Sequence, residues 1–439
     1  MAIKDNGKER LLVYAHYYTP DVASTGQILK DLAEGLREIF DITVICTVPS
    51  YSGVIKEEYK KKIYFKEIIN GVRVLRIRVP EFSKENRLSR VKNILSYFWG
   101  AFFATFIVGP QKYVFAISQP PILGGLLGVI GKWVKHAKYI YNIQDFNPEQ
   151  IMAVGYFRNY ILLKLLMTLD KFSCRQSDLI ITVGNDLVDT VHARFKDKNV
   201  PNTVKIHNWM DERKVYPLPA EDENVQDFKR KYQLDNKYVV MYSGNIGLYY
   251  DLENILKALL PFKKGMTASG QECEGVKTTD GREVVFAFIG EGAALHTLMT
   301  YAQKNDFKNI KFIPYQNREN LIYSLNAADL HWCVSRKGIK GVSVPSKVYG
   351  IMAVGKPIIG VMEQNTEARF MIEQAKCGKC CNSGDYKKIQ ENIRWFILNA
   401  DSPEVKEMGQ NGRKYLERYL TKEDAIKKYR EAFENLRKN

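Results

Sequence analysis

Arg336, Lys337, Lys340 and Lys347 fall within 12 residues of one another, and no acid stands between them. Pro345 and Ser346 read as the start of a helix, which puts Lys347 in its first turn. A cation there opposes the helix dipole, which favours negative charge at that end. The arrangement points to a bound anion such as a diphosphate; a solvated basic loop is the plainer alternative. Three glycine loops could serve the same ligand: Tyr17–Gln27 with Gly26, Ser243-Gly244-Asn245-Ile246-Gly247, and Ile289-Gly290-Glu291-Gly292-Ala293. Each follows an apolar run and opens a helix, where free N–H groups can meet an anion. Each alone also reads as a tight turn or an ordinary cap, with Ser24 or Thr25 as capping residue in the first. Three of them at strand ends favour a nucleotide or phosphate ligand. None is a G-x-G-x-x-G or Walker loop, so hydride transfer and NTP hydrolysis lose support. No D-x-D triplet occurs, so neither a metal bridging a diphosphate nor any other cofactor is expected.

Two more residues sit after strands. His16, in AHYYTP, and Asp145, in QDFNPE, stand where side chains of open sheets meet ligands, although a turn or an N-cap would account for either. Cys377, Cys380 and Cys381 include a C-x-x-C spacing, but no second pair has zinc-ribbon spacing, so these read as structural thiols.

The elements that must hold these loops recur twice. Leu11–Ala15, a helical pattern at Ile28, Leu32, Leu36 and Ile39, and Ile42–Cys46 form one βαβ unit. Similar runs follow at Val72–Ile77, Val114–Ile117, Tyr139–Asn142 and Leu179–Val183. The pattern restarts at Tyr238–Tyr242 and continues through a helix at Leu252–Leu260 and strands at Val284–Ile289, Ile310–Ile313, Leu330–Val334 and Pro357–Val361. Met210–Asn224, with two prolines and Glu221-Asp222-Glu223, reads as a linker. Lys264–Arg282 reads as a flexible polar insertion. Val405–Asn439 is polar and helical, with an apolar stripe through Tyr415, Tyr419, Ala425, Tyr429 and Phe433. The expectation is an α/β protein of two doubly wound domains, with ligands at the carboxyl ends of the strands.

Composition narrows the classes. The 439 residues are 45% hydrophobic and 26% charged, which excludes a mainly disordered chain, a collagen-like fibre and a multi-span transporter. The N-terminus lacks a long apolar run before a cleavage site, so no signal peptide is expected. Seven cysteines, an odd and sparse set, fit a reducing compartment. The 65 basic against 49 acidic residues leave a net charge of +16 and predict an anionic partner. Nucleic acid is disfavoured, because no helix-turn-helix, zinc-finger or RNP signature is present. A membrane surface is favoured by residues 84–138, which hold eight Lys or Arg and one acid around the uncharged, aromatic run Ile94–Val108. That run is shorter than the roughly 20 residues a spanning helix needs, so it fits interfacial docking or, alternatively, a buried core helix.

The order of the loop at Gly26, SGNIG, FIGEGA and PSKVYGIMAVGKPIIG resembles retaining glycosyltransferases of family four, with GT-B architecture. AISQPPILGGLLG, YNIQDFNPEQ and VKIHNWMD extend the resemblance to bacterial capsule, O-antigen and colanic-acid sugar transferases, including the fucosamine-transferase type. It implies two facing Rossmann-like domains: residues 1–213 for the acceptor, with membrane docking near 84–138, and 214–410 for the nucleotide sugar. Residues 411–439 would form a helix returning to the first domain. It further implies that Gly26, Ser243, Gly244, Asn245, Gly290, Glu291, Ser346 and Lys347 contact the donor, and that His16, Asp145 and Glu149 lie on the acceptor side. The donor would be a nucleotide sugar, UDP-linked, and the acceptor a polyprenyl-diphosphate-linked saccharide. The enzyme would work with retention at the inner face of the plasma membrane, as a peripheral cytoplasmic protein. Many family members carry Arg and Lys where this chain has Asn245 and Tyr250, and two Glu where it has Val342 and Gly350. Arg336, Lys340 and Lys347 are expected to replace the missing cations. A GT-B-like sugar-nucleotide epimerase and a non-catalytic partner of another transferase are the alternatives.

Overall fold

A computed structural model describes residues 7–21, 24–83, 86–153, 159–267 and 269–438. Val22 and Ala23 of the first glycine loop, and Lys84 and Glu85 of the basic segment, lie outside the described residues. The chain divides into two compact units: residues 1–207 with 423–439, and residues 208–422.

The strands of the first unit are β1 (Glu9–Tyr14), β2 (Phe40–Thr47), β3 (Tyr64–Ile69), β4 (Val72–Ile77), β5 (Tyr113–Ile117), β6 (Lys138–Ile143), β7 (Leu179–Thr182) and β8 (Thr203–Lys205). They form one sheet in the order β3-β4-β2-β1-β5-β6-β7-β8. All pairs are parallel except β3–β4. The helices are α1 (Ser24–Leu36), α2 (Arg87–Ile107), α3 (Leu123–Lys135), α4 (Asn147–Ala153), α5 (Tyr160–Gln176) and α6 (Asn185–Phe195). Chain order runs outward from β1 in one direction to β2 and β4, and in the other from β5 to β8. Right-handed crossovers therefore place α2, α3, α5 and α6 on one face of the sheet and α1 on the other. In agreement, α3 packs against both α2 and α5.

The second unit holds β9 (Lys237–Ser243), a hairpin of β10 (Lys264–Met266) and β11 (Glu272–Glu274), then β12 (Glu283–Ile289), β13 (Ile310–Ile313), β14 (Leu330–Val334), β15 (Ile358–Val361) and β16 (Gly378–Cys381). The main sheet is wholly parallel, in the order β13-β12-β9-β14-β15-β16. Its helices are α7 (Glu223–Tyr232), α8 (Leu252–Ala258), α9 (Leu295–Lys304), α10 (Leu321–Asn326), α11 (Lys347–Ala353), α12 (Glu367–Ala375), α13 (Tyr386–Leu398) and α14 (Pro403–Tyr419). Burial on both faces explains why β9 and β12 read as continuous apolar runs. Tyr238, Val240 and Tyr242 pack into one core layer, and Val239 and Met241 into the opposite one.

Two sequence readings need correction. Met210–Asn224 is no loose linker: Val215 is buried in a core cluster, and Leu218 N–H donates to Asn326 Oδ1 at 2.9 Å. Arg413 holds the segment by donating to the carbonyls of Glu212 and Val215. Lys264–Arg282 is not a shapeless insertion. It contains the β10–β11 hairpin, and Lys264 pairs with Glu283 while Arg282 bridges Asp280, Asp329 and Asp401.

The polar tail is two helices. The second, α15 (Lys422–Lys438), packs into the first unit by an aromatic stripe. Phe433 meets Phe40 and Tyr113 at ring distances of 4.8 and 5.5 Å. Tyr429 accepts a 2.8 Å hydrogen bond from Asn142 Nδ2. Ile426 fills the space where any side chain at Gly35 would stand.

Candidate functional site

In the second unit, chain order reverses between β9 and β14, the position where open α/β sheets bind ligands. The loop after β9 turns at Gly244 (φ 138°) and the loop after β12 at Gly290 (φ 136°). Only glycine adopts such angles without strain. A Cβ on Gly290 would overlap the Gly244 carbonyl, and one on Gly244 would stand 2.8 Å from Lys347 Cε. The two loops are laced together: Gly244 N–H donates to Ile289 O at 2.9 Å, and Ile246 N–H to Glu291 O at 2.8 Å.

Lys347 opens α11 and lies across this backbone. Its Nζ sits 3.8 Å from the centre of the Tyr250 ring and 4.8 Å from that of Tyr242. It forms no ion pair with any described residue. Burial pulls its pKa down to about 8, and the neighbouring Cys333 thiol is itself pushed up to about 12 by burial. The aromatic faces offset part of that desolvation, at about 0.5–2 kcal/mol each. An ammonium held this way lacks the counter-charge that an anionic ligand supplies.

The basic loop follows β14. Arg336, Lys337 and Lys340 are exposed, and Arg336 N–H donates to Tyr249 O at 2.8 Å. Glu363, after β15, accepts from Gly338 N–H at 2.8 Å and Lys340 N–H at 3.2 Å, which closes the loop. Ser346 precedes α11 but makes no side-chain cap bond. Asn245 and Glu291 are exposed at the loop tips, and Ser243 is half-buried. Val342 is buried, and a Cβ on Gly350 would face Leu325 and Met210 at 3.3 Å, so neither position presents a polar group.

In the first unit, the reversal lies between β1 and β5. His16 follows β1 and is 6% exposed, stacked on Tyr17 at 4.2 Å and beside Tyr97 at 4.9 Å. Burial pulls its pKa down to about 4, against a hydrogen bond with Asn93 that works in the other direction, so its ring is neutral near pH 7. Its Nε2 has no partner among the described residues. Gly26 lies in α1, where a Cβ would come within 3.2 Å of Tyr17 O. Thr25 Oγ1 donates to Gln119 Oε1 at 2.9 Å, joining α1 to the loop after β5. Ser118 Oγ accepts from the N–H groups of Gln144 and Asp145, at 3.1 and 3.3 Å, and so positions the loop after β6. His16, Gly26 and Asp145 thus share one end of one sheet.

Glu149 is differently employed. Arg194 Nε and Nη2 donate to its two oxygens at 2.7 and 2.6 Å, while Arg194 Nη1 donates to Asp170 at 2.6 Å. Tyr141 OH donates to the other Asp170 oxygen at 2.8 Å, and the guanidinium lies 4.1 Å from the centre of the Phe146 ring. This buried network ties α4, α5 and α6 together.

Comparison with solved structures separates fold from chemistry. Sucrose-phosphate synthase from Thermosynechococcus elongatus superposes with a TM-score of 0.73, covering 98% of this chain and 99% of that one at 13% identity. Anabaena HepE in complex with UDP-glucose gives 0.66 at 13% identity, with 97% and 99% covered. The fold is GT-B. Within this GT-B chain, residues 224–415 match the family model of glycosyl transferases group 1. Among curated proteins, WbjE of Pseudomonas aeruginosa, by name a glycosyltransferase, is 27% identical over 390 residues, 86% of each chain. WcaI of Escherichia coli (strain K12), whose name assigns it to colanic acid biosynthesis as a glycosyl transferase, is 22% identical over 436 residues, 96% of this chain and 98% of its own. The GT-B chain is related to sugar transferases of this kind.

Spacing, together with the family resemblance, draws Lys347 and the two glycine loops of the second GT-B unit to one place, and the structure sets them side by side. It missed Tyr250, whose ring covers the ammonium, and Glu363, which closes the basic loop. Tyr250 had a signal, since it stands where many family members carry a cation. Glu363 had none, being 23 residues from the nearer N–H it accepts.

Proposed function

We propose that this protein transfers a sugar, with retention, from a UDP-sugar to a polyprenyl-diphosphate-linked saccharide at a membrane surface, in the assembly of a surface polysaccharide. The observation that carries the donor half is Lys347: a half-buried ammonium without a carboxylate, set on glycine backbone at the switch point of a parallel sheet. A diphosphate there meets the ammonium, the loop N–H groups and the exposed Arg336 and Lys340, which stabilise negative charge as the bond to the sugar breaks. Ser243, Asn245, Gly290, Glu291 and Ser346 line the same loops. HepE, of like fold, is recorded with UDP-glucose, which supports uracil as the base. The fucosamine-transferase type and retention rest on the sequence resemblance.

The acceptor half is assigned to the first unit. Asp145 and His16 orient the acceptor hydroxyl there. Both Glu149 oxygens are engaged by Arg194, so its part is to hold α4 and thereby the Asp145 loop. The membrane reading draws on α2. Its inner residues Tyr97, Ala101 and Ala104 are buried, while Leu88, Val91, Leu95, Trp99, Phe103 and Phe106 are exposed along the outer side. A surface of that kind, with Arg90 and Lys92 beside it, suits an anionic bilayer facing the cytoplasm. No helix among the described residues is long and apolar enough to cross a membrane.

A thermal-shift panel of nucleotides and nucleotide sugars tests the donor. A shift with UDP species is expected, followed by transfer of label to a polyprenyl-diphosphate saccharide. No shift with any nucleotide rejects the donor site. Flotation with vesicles containing anionic lipid tests the docking, which fails if Trp99→Ala with Phe103→Ala floats like the parent. The apolar surroundings of Val342 and Gly350 favour a second reading, a nucleotide-sugar-binding partner without turnover. UDP binding without transfer to any acceptor would select it.

A further inference from the structure

On the helical face of the first unit, the last turns of α5 and α6 border an open cavity of about 500 Å³. Its lining is Lys171, Arg175, Arg194, Phe195, Lys196, Lys198 and Asn199, five of them basic. Helices that cross back from strand to strand start at the carboxyl ends of the strands and finish at the other, which sets the last turns of α5 and α6 away from His16, while Arg194 in the cavity wall reaches back to Phe146 and Glu149 beside Asp145.

The cations differ in what balances them. Arg194 is satisfied by Glu149 and Asp170, on its inner side. Lys171, Arg175, Lys196 and Lys198 form no ion pair with any described residue. The nearest further acid along the chain, Asp197, turns to His192 at 3.1 Å. Counting Glu149, Asp170 and Asp197, with roughly half a negative charge from each of two helix C-termini, the five cations keep a small positive excess, carried at the cavity by the four side chains that form no ion pair. The backbone also bends unusually to gather them: Lys196, Asp197 and Asn199 all have positive φ, of 52°, 54° and 49°. Such angles are sparsely populated for residues other than glycine. Arg175 rests 5.4 Å from the centre of the Phe195 ring, which fixes its guanidinium at the rim.

We propose that this cavity binds a phosphate group, bridging Lys171 and Arg175 on α5 with Lys196 and Lys198 beyond α6. The cavity holds a phosphodiester or a diphosphate, and its four charges recognise either without reading a base. A lipid headgroup is the favoured source, because the cavity borders the exposed apolar surface: Trp133 of α3 is more than half exposed and packs on Phe172, next to Lys171, at a ring distance of 6.0 Å. Its lining belongs wholly to the first unit and includes none of the donor-loop residues, so the site stands whether or not the transfer reading does.

The test is the fourfold variant Lys171→Ala, Arg175→Ala, Lys196→Ala and Lys198→Ala in the full chain. It leaves Arg194 and its two carboxylates in place, and an unchanged melting curve verifies the fold. Two probes are used: inorganic diphosphate by calorimetry, and vesicles of phosphatidylcholine with and without phosphatidylglycerol by flotation. Loss of about tenfold or more in affinity for the phosphatidylglycerol vesicles, with diphosphate competing on the parent, establishes a headgroup site. Loss of diphosphate binding alone, with flotation unchanged, establishes a site for a soluble phosphate compound. A variant that matches the parent with both probes overturns the proposal. Trp99→Ala with Phe103→Ala, run in parallel, distinguishes failure of the α2 surface from failure of the cavity.

Discussion

Lys347 concentrates the electrostatics of the second unit in one atom. Its pKa of about 8 lies below the ordinary lysine value because burial disfavours the charged form. A bound diphosphate favours the ammonium and restores the higher pKa. Donor affinity should therefore fall as pH rises through about 8, with proton uptake on binding; calorimetry in two buffers of different ionisation enthalpy reads that uptake. Lys347→Ala should raise the donor KM roughly tenfold to a hundredfold, the worth of a charged hydrogen bond, and abolish the proton uptake. His16 makes the opposite statement, about folding. Its folded pKa of about 4 lies below the unfolded value near 6.5, so the unfolded chain binds more protons between those values. The stability linked to His16 is complete above pH 6.5 and declines as pH falls towards 4, by about 3 kcal/mol in full. Urea melts at pH 7 and pH 5 should show part of that loss in the parent and less of it in His16→Gln.

At the scale of elements, the glycine loops set the tolerance of the site. Gly290 combines a φ of 136° with no room for a Cβ against the Gly244 carbonyl. Gly290→Ala should cost about 3 kcal/mol or more, seen as a lowered denaturant midpoint, and should weaken donor binding because both loops shift together. The elements most legible in the sequence are those whose burial is complete. The apolar runs Tyr238–Tyr242, Val284–Ile289 and Leu330–Val334, the last holding the buried His331, coincide with β9, β12 and β14 to within a residue. β3 was overlooked because it is an edge strand with alternating exposure. β16 was overlooked because Gly378-Lys379-Cys380-Cys381 has neither β-branched residues nor alternation; its pairing with β15 is a tertiary fact. The hairpin β10–β11 was hidden in a glycine- and threonine-rich stretch, and is held by Lys264 and Asp306 rather than by an apolar face. Side-chain partners far apart in the chain, such as Arg194 with Glu149, leave no trace in local spacing.

Across the whole molecule, the second unit is continuous in sequence while the first is completed by α15. That helix supplies Tyr429 and Phe433 to the core and Arg430 to Gly35 O and Glu38. A chain ended after Thr421 would expose Phe40, Tyr113 and Asn142. Its first unit should lose cooperative unfolding or melt well below the parent, whereas the second unit should retain its nucleotide-induced thermal shift. Tyr429→Phe, which removes one hydrogen bond to Asn142, should cost about 1 kcal/mol.

The position of α15 also fixes an order of events during synthesis. The ribosome delivers every strand of the first unit before any of the second, yet the last piece of the first unit's core emerges after the second is complete. The second unit can close while its predecessor waits with an aromatic face unfilled, in contact with whatever chaperone guards nascent chains. Slow translation across residues 208–422 lengthens that exposed interval. A circular permutant that places α15 ahead of β1 should shorten it, with a higher soluble yield as the measurable result.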